Sequence, residues 1–336
     1  MNRRETSTQA FIDELVRSTG AASPEDAIRL KARQHLELQQ SLFGEPTMPI
    51  DVSVLVGLAG IKESNDLPVL SPDAEIAPDG DGGVEMRVHP DRPETRKRFS
   101  IAHEVSHTFF PEYQQKQWCR TDARFRDRND PDQYLEMLCD IGAAELLLPD
   151  PWFRSDASNV RQASDLAALA LKYLASREAT LRKFAEQSEK PVAAVFFSWK
   201  LKPTQKGTVG NADQQNLFGI SPEEEIKAAI QLRIDYPIYS DAFRKLGHFL
   251  PAEKSVDRSS PIYEAAATCR CVDAETHLDL GQVSGTYAIM AIPLPTEPTS
   301  RGPNDEYNVA AILEPIKVKS PAKRRSAPSN MGSLFD

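Results

Sequence analysis

The chain has 336 residues, 40% of them hydrophobic, and a formal net charge of −9. That length calls for two or more domains with a sizeable core, and the acidic balance argues against a protein that coats DNA through bulk charge, though local basic patches remain open. Four cysteines make no disulfide framework in a chain this long, no apolar run approaches bilayer length, and Met1-Asn2-Arg3-Arg4-Glu5-Thr6 lacks the apolar stretch of a signal peptide. The cytoplasm is the expected compartment, with no membrane partner.

Residues 1–48 are polar and helical in pattern, and Ser23-Pro24-Glu25-Asp26 predicts a helix start with a helix running to about Leu42. Residues 49–150 read as a catalytic unit. Pro49-Ile50-Asp51-Val52 opens a short amphipathic helix through Leu58, and a Gly-rich turn at 79–83 precedes a strand over Glu85–Val88. The most informative stretch follows: His103-Glu104-Val105-Ser106-His107, an HExxH. Two imidazoles at i and i+4 share one face of a helix about one turn apart, so both reach a single metal ion. Glu104 then lies on the same rim, where it can take a proton from the attacking water. A solvent-facing helix that merely carries two histidines fits less well, because Phe99, Ile101, Ala102, Val105 and Phe109 give it a buried side and Pro111 marks its end.

A catalytic zinc needs a third protein ligand, and the helix predicted over Asp132–Leu148 carries Glu136-Met137-Leu138-Cys139-Asp140. Glu136 and Asp140 fall on one face. Glu136 completes a His, His, Glu set with one position left for water, and Asp140 accepts the second ring N–H of a ligand histidine. The rival, Glu145, lies nine residues beyond Glu136, about 180° around the helix. Only one of the two can face the metal, and Glu136 is preferred because it brings Asp140 with it.

Residues 151–200 hold two helices, Asp165–Leu174 and Arg177–Glu186, and a strand-like Val192–Phe197; residues 201–222 read as a linker. Residues 223–315 form a separate α+β domain with an antiparallel sheet, a helix around Glu224–Leu232 and strand-like runs at Ile262–Ala267, Gly285–Ile292 and Tyr307–Leu313. The basic, Pro- and Ser-rich tail 316–336 is expected to be disordered.

The run from Arg96 to His107 resembles the signature of the ImmA/IrrE family of bacterial metallopeptidases. Pro49 through Ile61 is similar to the family's lead-in segment, and Glu136–Asp140 followed by Ala143-Ala144-Glu145-Leu146-Leu147-Leu148-Pro149 is similar to its second signature. The resemblance covers about residues 49–190. Two departures stand out: Val105-Ser106 where the family usually has Leu-Gly, and Gly142 where it usually has Phe. The resemblance implies an α+β protein with a zincin-like peptidase domain, one Zn2+ per chain and a helix-turn-helix repressor as substrate, whose cleavage switches transcription on after DNA damage or phage induction. In some members a helix-turn-helix-like segment and then a GAF-type sensor domain follow, and the layout here is similar.

Cys119 follows the HExxH helix and is a candidate fourth zinc ligand, whose departure would start catalysis as in a cysteine switch; an ordinary half-buried cysteine is the plainer alternative. Arg120, Arg124, Phe125, Arg126 and Arg128 come next. They fit either contacts to single-stranded DNA, an activator in that case, or a solvated loop paired with nearby acids. The second helix of the 165–186 pair carries Arg177, Thr180, Arg182 and Lys183, which read better as scaffold or docking surface than as a DNA-reading helix. Cys269 and Cys271 are expected to share one face of a strand as core cysteines. His89, His248 and His277 have no ligand-like spacing. The chain thus reads as a zinc endopeptidase with His103, His107 and Glu136 as ligands and Glu104 as general base. Its rivals are a DNA-responsive binding protein on the same fold, which would need no Glu104, and a zinc hydrolase of a non-peptide amide.

Overall fold

The computed structural model describes residues 8–63, 73–111, 113, 118–119, 127–205, 221–280, 284–296 and 298–318. The chain divides into two compact units, residues 1–184 and 185–336.

The first unit is helical with a small sheet. Its elements are α1 (Thr8–Thr19), α2 (Pro24–Phe43), α3 (Val52–Leu58), β1 (Ile61–Glu63), β2 (Ala74–Pro78), β3 (Val84–Val88), α4 (Glu94–His107), β4 (Trp118–Cys119), α5 (Pro131–Leu147), α6 (Trp152–Ala157), α7 (Ala163–Lys172) and α8 (Arg177–Gln187), the last running across the boundary. Side-chain caps fix three of the helix starts: Ser23 on α2, Asp51 on α3 and Asp130 on α5. Each accepts a backbone N–H that would otherwise be orphaned, which is worth about 1 kcal/mol. The four-stranded sheet has the order β1-β3-β2-β4, with β1 parallel to β3 and the other pairs antiparallel.

The N-terminal helices belong to the peptidase core. Phe11, Ile12 and Leu15 of α1 and Ile28 and Leu36 of α2 pack with Ala102 and Val105 of α4 and with Leu135, Leu138 and Leu146 of α5. Each fully buried aliphatic side chain of this kind contributes about 2 kcal/mol. The result for α4 is burial on nearly every side: Arg98, Ser100 and the whole run from Ala102 to His107 are buried. Arg98 is held inside by its Nη2 donating to the Ile50 carbonyl at 2.6 Å, and burial pulls its pKa down. Behind this core, Phe153, Leu169 and Tyr173 form a second cluster that ties α6 and α7 together.

The second unit is a five-stranded antiparallel sheet of order β6-β5-β9-β8-β7. Its elements are β5 (Ala193–Lys200), α9 (Pro222–Ala229), β6 (Gln231–Tyr239), α10 (Asp241–Lys245), α11 (Pro261–Thr268), β7 (Val272–Asp279), β8 (Ser284–Leu294) and β9 (Asn308–Val318). The strand-like 192–197 run, grouped by sequence with the preceding helices, pairs inside this sheet as β5. The run Ile262–Ala267 is a helix rather than a strand. Ser260 caps it, Pro261 opens it, and Ile262, Ala265 and Ala266 at i, i+3 and i+4 are its buried face. Cys269 ends that helix in a left-handed conformation and is exposed, while Cys271 is only partly buried, so neither is a core cysteine of a strand. The helix read at Glu224–Leu232 stops at Ala229, where Ile230 turns extended and Leu232 enters β6. Among the described residues, no helix is long and apolar enough to cross a membrane.

Candidate metal centre

The site forms where α4 crosses α5. Ser106 meets Gly142 at the contact: a Cβ on Gly142 would stand 2.6 Å from Ser106 Oγ and 3.2 Å from Ile28 Cγ1. The two positions singled out in the sequence therefore meet at one point of contact, where the serine on α4 fills the space that a side chain at Gly142 of α5 would need. Ser106 satisfies its hydroxyl by donating to the Ala102 carbonyl at 2.8 Å.

With the helices held at that spacing, the side chains of the HExxH converge on Glu136. His103 Nε2 lies 3.2 Å from Glu136 Oε2 and His107 Nε2 lies 3.4 Å from Glu136 Oε1. The two rings meet edge-to-face with centroids 5.0 Å apart. His103, Glu104 and His107 are fully buried, and Glu104 Oε2 sits 4.0 Å from His107 Nε2. Both rings are also held from behind. His103 Nδ1 is 2.8 Å from Asp140 Oδ1, and His107 Nδ1 is 3.4 Å from Cys139 Sγ. Burial pushes the His103 imidazole down, but the carboxylates of Asp140 and Glu136 outweigh it and hold the ring up at about 9.

His103, His107 and Cys139 each offer a ligand atom within 4.8 Å of the others, a group able to hold a metal ion. The two edges of the rings do different work, however. Both Nε2 atoms face the Glu136 carboxylate, whereas Cys139 reaches the Nδ1 edge of His107. Cys139 therefore stands to His107 as Asp140 stands to His103, behind the ring. Sequence reasoning passed over Cys139, although its place three residues after Glu136 and beside Asp140 puts it on the same helical face. Two imidazole nitrogens and one carboxylate form a donor set of the kind that suits zinc.

Glu145 does not join this group. It is buried where its Oε1 accepts from Arg33 Nε at 2.8 Å and its Oε2 from Lys183 Nζ at 2.5 Å. Burial alone would raise its pKa, but Lys183 and Arg33 outweigh that and hold it below the usual carboxylate range.

The backbone of Cys119 lies in β4 at the edge of the small sheet, opposite Glu75 of β2; its side chain lies outside the described residues. So do Arg120, Arg124, Phe125 and Arg126. Arg128 is described: it is exposed, with Nη1 3.4 Å from Glu25 Oε1. On α8, Thr180 and Lys183 are buried, the hydroxyl donating to the Ser176 carbonyl and the ammonium paired with Glu145. Neither is offered to DNA.

A helix pair that carries two histidines, a buried glutamate between them and a facing carboxylate defines a metallopeptidase-type site. Residues 78–185 match the family model of the IrrE N-terminal-like domain. The chain thus carries an IrrE/ImmA-like peptidase domain and is a metalloenzyme by its site. No match to a curated protein was found. Among solved structures, a Mycobacterium tuberculosis transcriptional regulator is 14% identical with a TM-score of 0.45, over 92% of this chain and 82% of that one.

Proposed function

We propose that this protein is a zinc-dependent endopeptidase whose substrate is a helix-turn-helix transcriptional repressor, so that cleavage derepresses stress, DNA-damage or phage-defence genes. The observation that carries the enzymatic part is the convergence of both Nε2 atoms on Glu136 beside a buried Glu104. His103, His107 and Glu136 would hold the zinc, which when bound polarises the scissile carbonyl and acidifies water. Glu104 would take the proton from the attacking water at its carboxylate and deliver it to the leaving amine. Asp140 and Cys139 fix which nitrogen of each ring faces the metal. The repressor substrate rests on the family resemblance.

The second unit, an antiparallel sheet with α11 packed on β7, β8 and β9, supports a GAF-like sensor reading, and the α7–α8 pair a helix-turn-helix-like scaffold. Restraint by Cys119 and release by single-stranded DNA at Arg120, Arg124, Phe125, Arg126 and Arg128 belong to the same proposal, and the edge position of β4 beside α4 favours the first. X-ray absorption of the purified protein tests the ligand set. About one zinc per chain in a nitrogen and oxygen shell supports the three ligands, and a sulfur contribution that vanishes in Cys119→Ala supports the switch. A zinc shell of unchanged composition in Glu136→Ala would overturn the ligand assignment.

A further inference from the structure

The second unit contains a cavity of about 270 Å³ that the peptidase reading does not use. Trp199, at the end of β5, and Tyr263, in the first turn of α11, both line it, and their rings meet edge-to-face with centroids 5.7 Å apart. Lys227 on α9 and Arg258 just before α11 bring two exposed cations to its rim, and neither closes a salt bridge among the described residues. On the same helix Glu224, whose carboxylate also feels the Lys227 charge, accepts the Ser221 backbone N–H at 3.0 Å in a capping box. Ala228, Ile230 and Pro303 add apolar wall, and Asn304 and Glu306 supply its polar side. Buried Glu306 accepts the backbone N–H of Asn304 at 2.7 Å on Oε2 and its side-chain amide at 2.9 Å on Oε1. A carboxylate has about four lone-pair positions, so acceptor capacity remains.

These walls are held in place before any ligand arrives. The Trp199 indole N–H donates to the Tyr307 carbonyl at 2.9 Å. Gly302 lies against the indole so closely that a Cβ there would stand 2.6 Å from Trp199 Cδ2 and 2.5 Å from Glu306 Oε2. Only glycine leaves both side chains where they are.

We propose that this cavity binds a small ligand that joins a flat heteroaromatic ring with N–H donors to one anionic group, the chemistry of a nucleoside monophosphate. The ring packs on Trp199 and Tyr263, its N–H donors meet Glu306, and the anion is held by Lys227 and Arg258. The volume lies near the lower end for small-molecule sites, which accommodates one nucleotide and not a strand. This site is additional to the peptidase centre and stands or falls separately from it.

The test is titration calorimetry on the full chain with AMP, GMP, inorganic phosphate and adenosine, and the same titrations on Lys227→Ala and Arg258→Ala, both exposed positions whose loss leaves the fold intact. At least one nucleotide is expected to bind about tenfold or more tightly than phosphate or adenosine alone, and each variant to weaken it by about tenfold, the scale of one charge-assisted contact. Gly302→Ala, which drives a methyl into the wall, is expected to weaken it as well. Phosphate binding as tightly as the nucleotides would remove the ring from the proposal. Nucleotide binding unchanged in both charge variants, or no binding of either nucleotide at millimolar concentration, would overturn it.

Discussion

Glu136 and Glu145 are both carboxylates on α5, and replacing Glu145 separates a structural role from a ligand role. In Glu145→Gln the ammonium of Lys183, only 7% exposed, loses the charge 2.5 Å away that compensates its burial. Removing one partner of a buried ion pair costs about 3–5 kcal/mol, because the other charge is left uncompensated. Arg33 is 45% exposed and is stabilised by water once released, so its share is small and the lower end, about 3 kcal/mol, is expected. For a unit of this size that is a fall in Tm of roughly 6–12 °C. The loss should shrink in the double replacement Glu145→Leu with Lys183→Met, which removes both charges. Urea unfolding followed by circular dichroism, paired with zinc content below the transition, reads both quantities. A Glu145→Gln protein that unfolds at the wild-type midpoint and has lost its zinc would refute the reasoning.

Three further outcomes are expected. Asp140→Asn removes the carboxylate behind His103 and should weaken zinc affinity by about 10- to 100-fold in competition with a chromophoric chelator; an unchanged affinity would remove Asp140 from that role. The zinc-free protein should lose stability as pH rises, because the His103 pKa is raised from 6.5 to about 9: its contribution, on the order of 3 kcal/mol, is fully present below 6.5 and is lost through 9. Flat urea midpoints between those values in chelator-treated protein would contradict this. Gly142→Phe should destabilise the first unit by about 2 kcal/mol or more through overpacking against Ser106, and Ser106→Gly added to it should recover part of the loss; an unfolding midpoint that does not move in either protein would count against the close contact of the two positions.

The local parts of the site were legible because they obey helical periodicity. The i, i+4 spacing of His103 and His107 and the i, i+4 spacing of Glu136 and Asp140 each put two groups on one face, and the 180° offset of Glu145 from Glu136 turned it away from the histidines, toward Arg33 and Lys183. What joins these faces is non-local and left no periodic mark. Arg33 and Lys183 come to Glu145 from α2 and α8, so the N-terminal helices, which read as a separate segment, belong to the peptidase core. Cys139 escaped notice because a cysteine inside an apolar helix has the pattern of a packing residue. The Ile262–Ala267 run misled because short apolar stretches fit a strand or a helix equally; Ser260 and Pro261 ahead of it carried the signal that decides. Strand β7 hid in a run whose polar residues alternate outward, and β6 in one that buries Arg233 among its apolar residues; both become visible once neighbours supply the pairing.

The most direct measurement is cleavage of a candidate helix-turn-helix repressor by zinc-loaded protein, with wild type and Glu104→Gln compared at equal zinc content. Wild type is expected to cut the repressor and Glu104→Gln to hold its zinc while losing at least about a hundredfold in rate, since general acid–base catalysis contributes 10²–10⁴. Equal cleavage by both proteins would contradict the assignment of Glu104 and, with it, the reading of this site as a zinc peptidase centre.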